Sequence, residues 1–194
     1  MDRPPQVNVL TIGDTSDGPT VLIRQYCYGC YMPGIVGTEG EPDTRTCVVD
    51  GQRLLVDLFD VSRYAGPAGT GRDVVDLESI LKAADAIIAV IEPAKPVSLA
   101  WLEDCRFNHS KDLIDREKSN GSLTETALVL MWHDEEACGM TEDEQREHGR
   151  EVAESYAARA VGDVGVYFVH SFSGAGVNEA VDGTVARVIQ RKQA

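Results

Sequence analysis

Basic residues are scarce in this chain: 18 Lys and Arg stand against 32 Asp and Glu, a formal net charge of −14 over 194 residues. Such a surface repels polyanions, which argues against DNA or RNA as a partner and against an anionic membrane face. Long apolar runs are missing too, and none approaches the ~20 residues of a membrane span. The opening Met1-Asp2-Arg3-Pro4-Pro5 lacks the charge-then-apolar order of a secretory signal. Asp2 offers no site for a myristoyl group, and Arg191-Lys192-Gln193-Ala194 no cysteine for a prenyl group. No membrane insertion and a cytoplasmic location are therefore expected. A disulfide framework is absent as well. The five cysteines, Cys27, Cys30, Cys47, Cys105 and Cys138, are odd in number and irregularly spaced, as reduced thiols are. Cys27-Tyr28-Gly29-Cys30 has the spacing of a redox pair or half a zinc site, but no second pair or His cluster completes it. The competing reading is ordinary packing at the end of a helix.

Apolar residues make up 43% of the chain, enough for one domain with a buried core, and no repeat or low-complexity linker divides residues 1–194. Strand and helix signals alternate, which predicts an α/β sandwich with a mainly parallel sheet. Strand candidates are 7–12, 44–49, 54–59, 86–91, 127–132 and 164–169. Asp50-Gly51 between the second and third is a strong two-residue hairpin signal, so those two are expected to pair antiparallel. Ala86 to Ile91 is apolar throughout, as in a strand buried on both faces. Helices are predicted at 21–26, 74–84, within 97–120, from a Thr141-to-Glu144 capping box onward, and at 177–189. Residues 61–72, with three glycines and a proline between 66 and 71, read as an irregular loop, and residues 1–5 as a flexible terminus. Residues 134–154 carry nine acidic and two basic side chains. They read as a solvated helix face, or as a docking patch for a basic partner.

The stretch richest in chemistry is Gly13-Asp14-Thr15-Ser16-Asp17-Gly18-Pro19-Thr20, between the first strand and the first helix. A loop that cradles phosphate has Gly, four residues, Gly, Lys, then Ser or Thr. Every fixed position is kept here except the lysine, which is Pro19. The change removes the cation that neutralises the terminal phosphates. It also removes one backbone N–H from the anion-binding loop.

The order strand, phosphate loop, helix, antiparallel hairpin, irregular segment, then alternating helices and strands resembles a Ras-like small GTPase over about residues 6–192. The resemblance implies a P-loop G-domain fold: three layers around a six-stranded, mainly parallel sheet with one antiparallel strand. It implies that Gly13, Asp14, Gly18, Pro19, Thr20, Thr38, Asp60, Glu135 and Ser171 descend from a nucleotide site, with Thr20, Thr38 and Asp60 at the Mg²⁺ positions. Taken singly, Thr20 also fits a helix N-cap and Asp60 a strand-end turn residue. The departures touch every nucleotide-handling motif. Asp60-Val61-Ser62-Arg63-Tyr64 replaces Asp-x-x-Gly-Gln, so the residue that orients the attacking water is gone. Trp132-His133-Asp134-Glu135 replaces the base-reading Asn-Lys-x-Asp, and Ser171-Phe172-Ser173 keeps only the Ser of Ser-Ala-Lys.

The expectation is therefore a degenerate, catalytically silent member of that superfamily. It would have weak or no GTP binding, no catalytic residue and no required cofactor. It would work as a protein-interaction module through residues 29–45 and 61–76, or through the acidic helix at 141–158. The alternative is an atypical switch that still binds GTP or GDP with Mg²⁺ and turns over slowly. A phospho-acceptor receiver domain fits worse, for want of an acidic pair after the first strand and a Lys after the fifth. A doubly wound dehydrogenase fits worse because the Gly13-to-Gly18 spacing is wrong for a dinucleotide loop.

Overall fold

The computed structural model describes residues 3–13, 18–31, 42–60, 83–95, 124–158 and 163–193. The predicted helices at 74–84 (Ala83 and Ala84 excepted) and within 97–120, the whole of the 61–76 segment, residues 32–41 of the 29–45 segment, and Asp14, Thr38 and Cys105 lie outside those residues. Among the described residues the order is β1 (Gln6–Gly13), α1 (Gly18–Tyr28), β2 (Asp43–Val49), β3 (Gln52–Asp60), β4 (Ala86–Ile91), β5 (Glu125–Trp132), α2 (Glu135–Cys138), α3 (Glu142–Ala157), β6 (Gly165–His170) and α4 (Val177–Gln193).

The strands form one sheet in the order β2-β3-β1-β4-β5-β6. Among the described residues only β2 and β3 pair antiparallel; every other pair is parallel. The hairpin between them turns at Asp50 and Gly51, whose φ angles are 50° and 77°. Two consecutive positive φ values match the right-handed strand twist, and Asp-Gly adopts them at low cost.

Side-chain alternation divides the core between the two sheet faces. Val7, Val9, Leu54, Val56, Leu58, Ile88, Val90, Val129 and Val169 meet α1 and α4 through Leu22, Tyr26, Val181, Val185 and Val188. Leu10, Ile12, Ile87, Ala89, Ile91, Leu128 and Leu130 meet Val152 and Tyr156 of α3 on the other face. The result is three layers. β4 is apolar at every position because it is buried on both faces. At α3 the predicted capping box forms: Thr141 Oγ1 accepts from Glu144 N, and Thr141 N donates to Glu144 Oε2.

The amino-terminal edge of the sheet is tied to the end of α4. Glu125, 2% exposed, binds Arg187 at 2.9 Å and Arg191 at 2.7 Å, and Lys192 reaches Asp85 at 2.5 Å. A buried carboxylate needs such partners, since leaving it alone costs several kcal/mol, about 3–5 by analogy with broken buried pairs.

Two titratable groups in the α1 layer are set by burial. The Tyr26 hydroxyl, buried and donating to Asp182 Oδ1 at 2.6 Å, holds its proton far more tightly than an ordinary tyrosine. Burial, with Asp43 adding to it, pushes the Cys27 thiol up to about 12. In the unfolded chain these groups ionise from about 9 and 10 upward, while in the fold they stay protonated. The unfolded state then binds fewer protons, so stability falls as pH rises above ~9. Urea unfolding between pH 8 and 11 should show a falling midpoint. Tyr26→Phe, which removes one of the two groups, should flatten the fall. Leu22→Ala, at a position with no exposed surface, should cost roughly 2–5 kcal/mol in the same assay.

Candidate functional site

Ligands of open α/β sheets bind outside the carboxyl ends of the strands, where the strand order reverses. Here the chain leaves β1 toward β3 on one side and β4 on the other. Because five of the six strands run parallel, their carboxyl ends line one edge. Across that edge stand Asp60 (β3), Gly13 (β1), Glu92 just after β4, His133 just after β5, and Ser171 just after β6.

The loop residues come together at the switch point. A Cβ placed on Gly13 would lie 2.7 Å from Pro19 Cγ, so the Pro19 ring packs directly against the first glycine. Gly18, Pro19 and Thr20 form the first turn of α1 and are buried. Thr20 is the third residue of the helix, so it is not the N-cap; its Oγ1 donates to Asp60 Oδ2 at 2.5 Å. Those two oxygens are the described members of the expected Mg²⁺ set; its third member, Thr38, falls outside the described residues, as does Asp14 of the loop. No group of three or more His, Cys, Asp or Glu side chains is placed to hold a metal ion among the described residues.

Beside the loop stands a carboxylate that no sequence motif marks. Glu92 is 1% exposed. Its Oε1 lies 3.2 Å from the position a Cβ on Gly18 would occupy. It therefore sits next to the first residue of α1, where the partial positive charge of a helix start favours an anion. Its Oε2 is 2.5 Å from His133 Nε2 and 2.6 Å from Lys95 Nζ.

His133 is held on every side. Its Nδ1 meets Ser171 Oγ at 2.9 Å. A carboxylate accepts and does not donate, so the network puts the ring proton on Nε2 and leaves Nδ1 to accept from the Ser171 hydroxyl. Its backbone N–H donates to Gln145 Oε1 at 2.9 Å, and its carbonyl accepts from Gln145 Nε2 at 2.8 Å. Gln145, from α3, is itself 1% exposed.

The two segments that match the base-reading motifs are thus bonded to each other. Ser171 N donates to Trp132 O at 2.9 Å, and His170 Nε2 approaches Asp134 Oδ1 at 3.2 Å. His170 Nδ1 accepts from the Ser173 N–H at 3.0 Å, which fixes its own ring proton on Nε2. Gln25 of α1 donates to the carbonyls of Ser171 and Phe172. The Phe172 ring meets Tyr31 at 5.6 Å between centroids. Glu135 stands apart: it is the exposed first residue of α2 and takes no side-chain part in this network.

Chemically, the edge is a relay of hydrogen bonds from Lys95 and Glu92 through His133 to Ser171. Its serine is 3% exposed, buried at the far end of the relay. The sequence signal for Glu92 was weak: one acidic residue directly after an apolar strand. His133 lay inside a matched motif but reads there only as a lost lysine. Burial raises the Cys27 thiol, the opposite of the lowered pKa that a reactive cysteine needs. At pH 8 a thiol titrating near 12 is about one part in 10⁴ thiolate.

Two outcomes are expected. His133→Ala strips Glu92 and Ser171 of a partner each and should lower the unfolding free energy by roughly 1–3 kcal/mol in urea; no loss would show that the relay is not structural. Iodoacetamide at pH 8, followed by peptide mass spectrometry, should label Cys27 far more slowly than free cysteine.

No protein-family model matches the chain, and no curated protein matches its sequence.

Proposed function

We propose that this chain is a degenerate Ras-like G domain that binds nucleotide weakly or not at all, hydrolyses none efficiently, and serves as a protein-interaction module. The finer fold assignment is part of the same proposal. It is supported by the strand order, by the single antiparallel pair, and by a Gly-rich loop joining β1 to α1 at the switch point.

The observation that carries the functional reading is the Glu92–His133–Ser171 relay along the carboxyl edge. A triphosphate there meets a buried carboxylate beside Gly18 and a proline ring against Gly13. It meets neither the loop lysine nor the Pro19 amide. On this reading the described residues are a poor match for a nucleotide with its magnesium ion. Hydrogen bonds to charged groups contribute roughly 1.5–3 kcal/mol each. Losing the lysine contacts and one amide thus removes several kcal/mol, and each ~1.4 kcal/mol is tenfold in affinity. The base-reading segments compound the loss. Asp134 is engaged by His170 and Glu135 points to solvent, so neither is set to accept the paired N–H groups of a guanine. Rejection of the wrong base depends on such paired contacts.

One observation favours the alternative switch reading. Thr20 and Asp60 remain hydrogen-bonded, two oxygens side by side at the position a magnesium ion takes in the family. The same bond also ties α1 to the end of β3 without any ion.

Titration with fluorescent GTP and GDP, with and without Mg²⁺, decides between the readings. The expected result is no saturation below the micromolar range. Submicromolar, Mg²⁺-dependent binding would replace the module with the switch. The double variant Pro19→Lys, Glu92→Gln restores a cation and removes a charge. It should bind nucleotide at least tenfold more tightly than the parent chain, about 1.4 kcal/mol.

A further inference from the structure

Strand β6 lies at the margin of the sheet, and its outer edge is only partly closed. In a parallel ladder, alternate residues of a strand bond to the neighbour and the others point away. Ser171 N donates to Trp132 O of β5, whereas His170 N points outward and is taken by Ala175 O of the following turn. Val166 and Phe168 share the parity of His170, so their amides point outward too, and no other backbone group of the described residues takes them. The carbonyl of Phe168 is covered by Gly176, where a Cβ would lie 2.2 Å from that oxygen. Among the described residues the open edge is thus short, centred on Val166, which is 38% exposed.

This edge borders a groove of ≈ 340 Å³ lined by Trp132, Arg146, Val166, Phe168, Gly176 and Glu179 among others. Its two walls differ. On the α3 side Val166, Phe168 and Trp132 present apolar surface. The Arg146 guanidinium is already committed there, lying over the Trp132 ring at 4.9 Å and the Phe168 ring at 5.6 Å with its Nε on Glu142. On the α4 side stand Tyr167, which packs against Gly183, and the exposed Glu179, to which no cation is paired among the described residues.

We infer that the β6 edge takes an extended segment of a protein partner, three to five residues long, in which cationic and apolar side chains alternate. The inference rests on the interaction-module reading and names its surface and partner chemistry. An added strand has a side-chain period of two. One set of its side chains therefore falls on the apolar α3 wall and the other beside Glu179. Main-chain bonds to the outward groups of Val166 and to the outward amide of Phe168 hold it, and Glu179 selects the cation. The overall charge of −14 favours a basic segment from a distance.

The test uses the full chain, labelled with ¹⁵N, and two probes: the peptides Lys-Val-Lys-Val-Lys-Val and Glu-Val-Glu-Val-Glu-Val. The basic peptide should shift and protect the amides of Val166 and Phe168, and bind at least tenfold more tightly than the acidic one. Glu179→Lys, on an exposed helix face, should weaken it at least fivefold. Val166→Pro, which removes an outward amide without touching the β5 ladder, should abolish protection at Phe168. Equal binding of the two peptides would overturn the inference. So would unchanged binding to Glu179→Lys, or shifts confined to the acidic outer face of α3. A parallel titration with GTP and Mg²⁺ keeps the two questions apart. Tight nucleotide binding refutes the module reading whatever the peptides do, and peptide failure refutes the β6 surface alone.

Discussion

A carboxylate buried to 1% exposure must be answered by hydrogen bonds or it destabilises the fold, and Glu92 is answered by His133 and Lys95. That requirement organises the carboxyl edge of the sheet. It fixes which way the His133 ring points, which leaves Nδ1 for Ser171, which in turn seats the turn after β6 against the end of β5. Gln145 completes the arrangement by clamping the His133 backbone from α3. Three strand ends and one helix are thus joined through these side chains, with the Ser171 amide on the Trp132 carbonyl beside them.

In a functioning phosphate site the same edge is held open for a ligand, and the ligand's charges satisfy the loop amides and the helix start. Here an internal carboxylate stands beside that helix start and a proline ring lies on the first glycine. Among the described residues, the side chains of Glu92, His133 and Ser171 bond to one another. In the proposed reading, an anion at this edge competes with those contacts, and the energy of breaking them is subtracted from any affinity gained.

Much of the scaffold was legible because its causes are local. The continuous apolar run of β4 follows from burial on both faces. The Asp50-Gly51 turn follows from two residues that accept positive φ. The α3 start follows from a threonine and a glutamate three residues apart. The candidate site was legible only through the resemblance. Pro19 stands where the phosphate-loop pattern has lysine, but nothing in the sequence says which side chains gather beside it. Glu92 and His133 are 41 residues apart, and His133 and Ser171 38 apart. Only the parallel register of β4, β5 and β6 brings them to one edge, and that register is a property of the whole sheet. Thr20 shows the same limit: its spacing fits an N-cap or an ion ligand, whereas the fold makes it an interior helical residue bonded to Asp60.

Native mass spectrometry of the chain purified without added nucleotide tests most directly whether this edge is closed from within. The account requires a single species at the mass of the polypeptide, unchanged when magnesium is present throughout purification. A species heavier by one guanosine di- or triphosphate would contradict it.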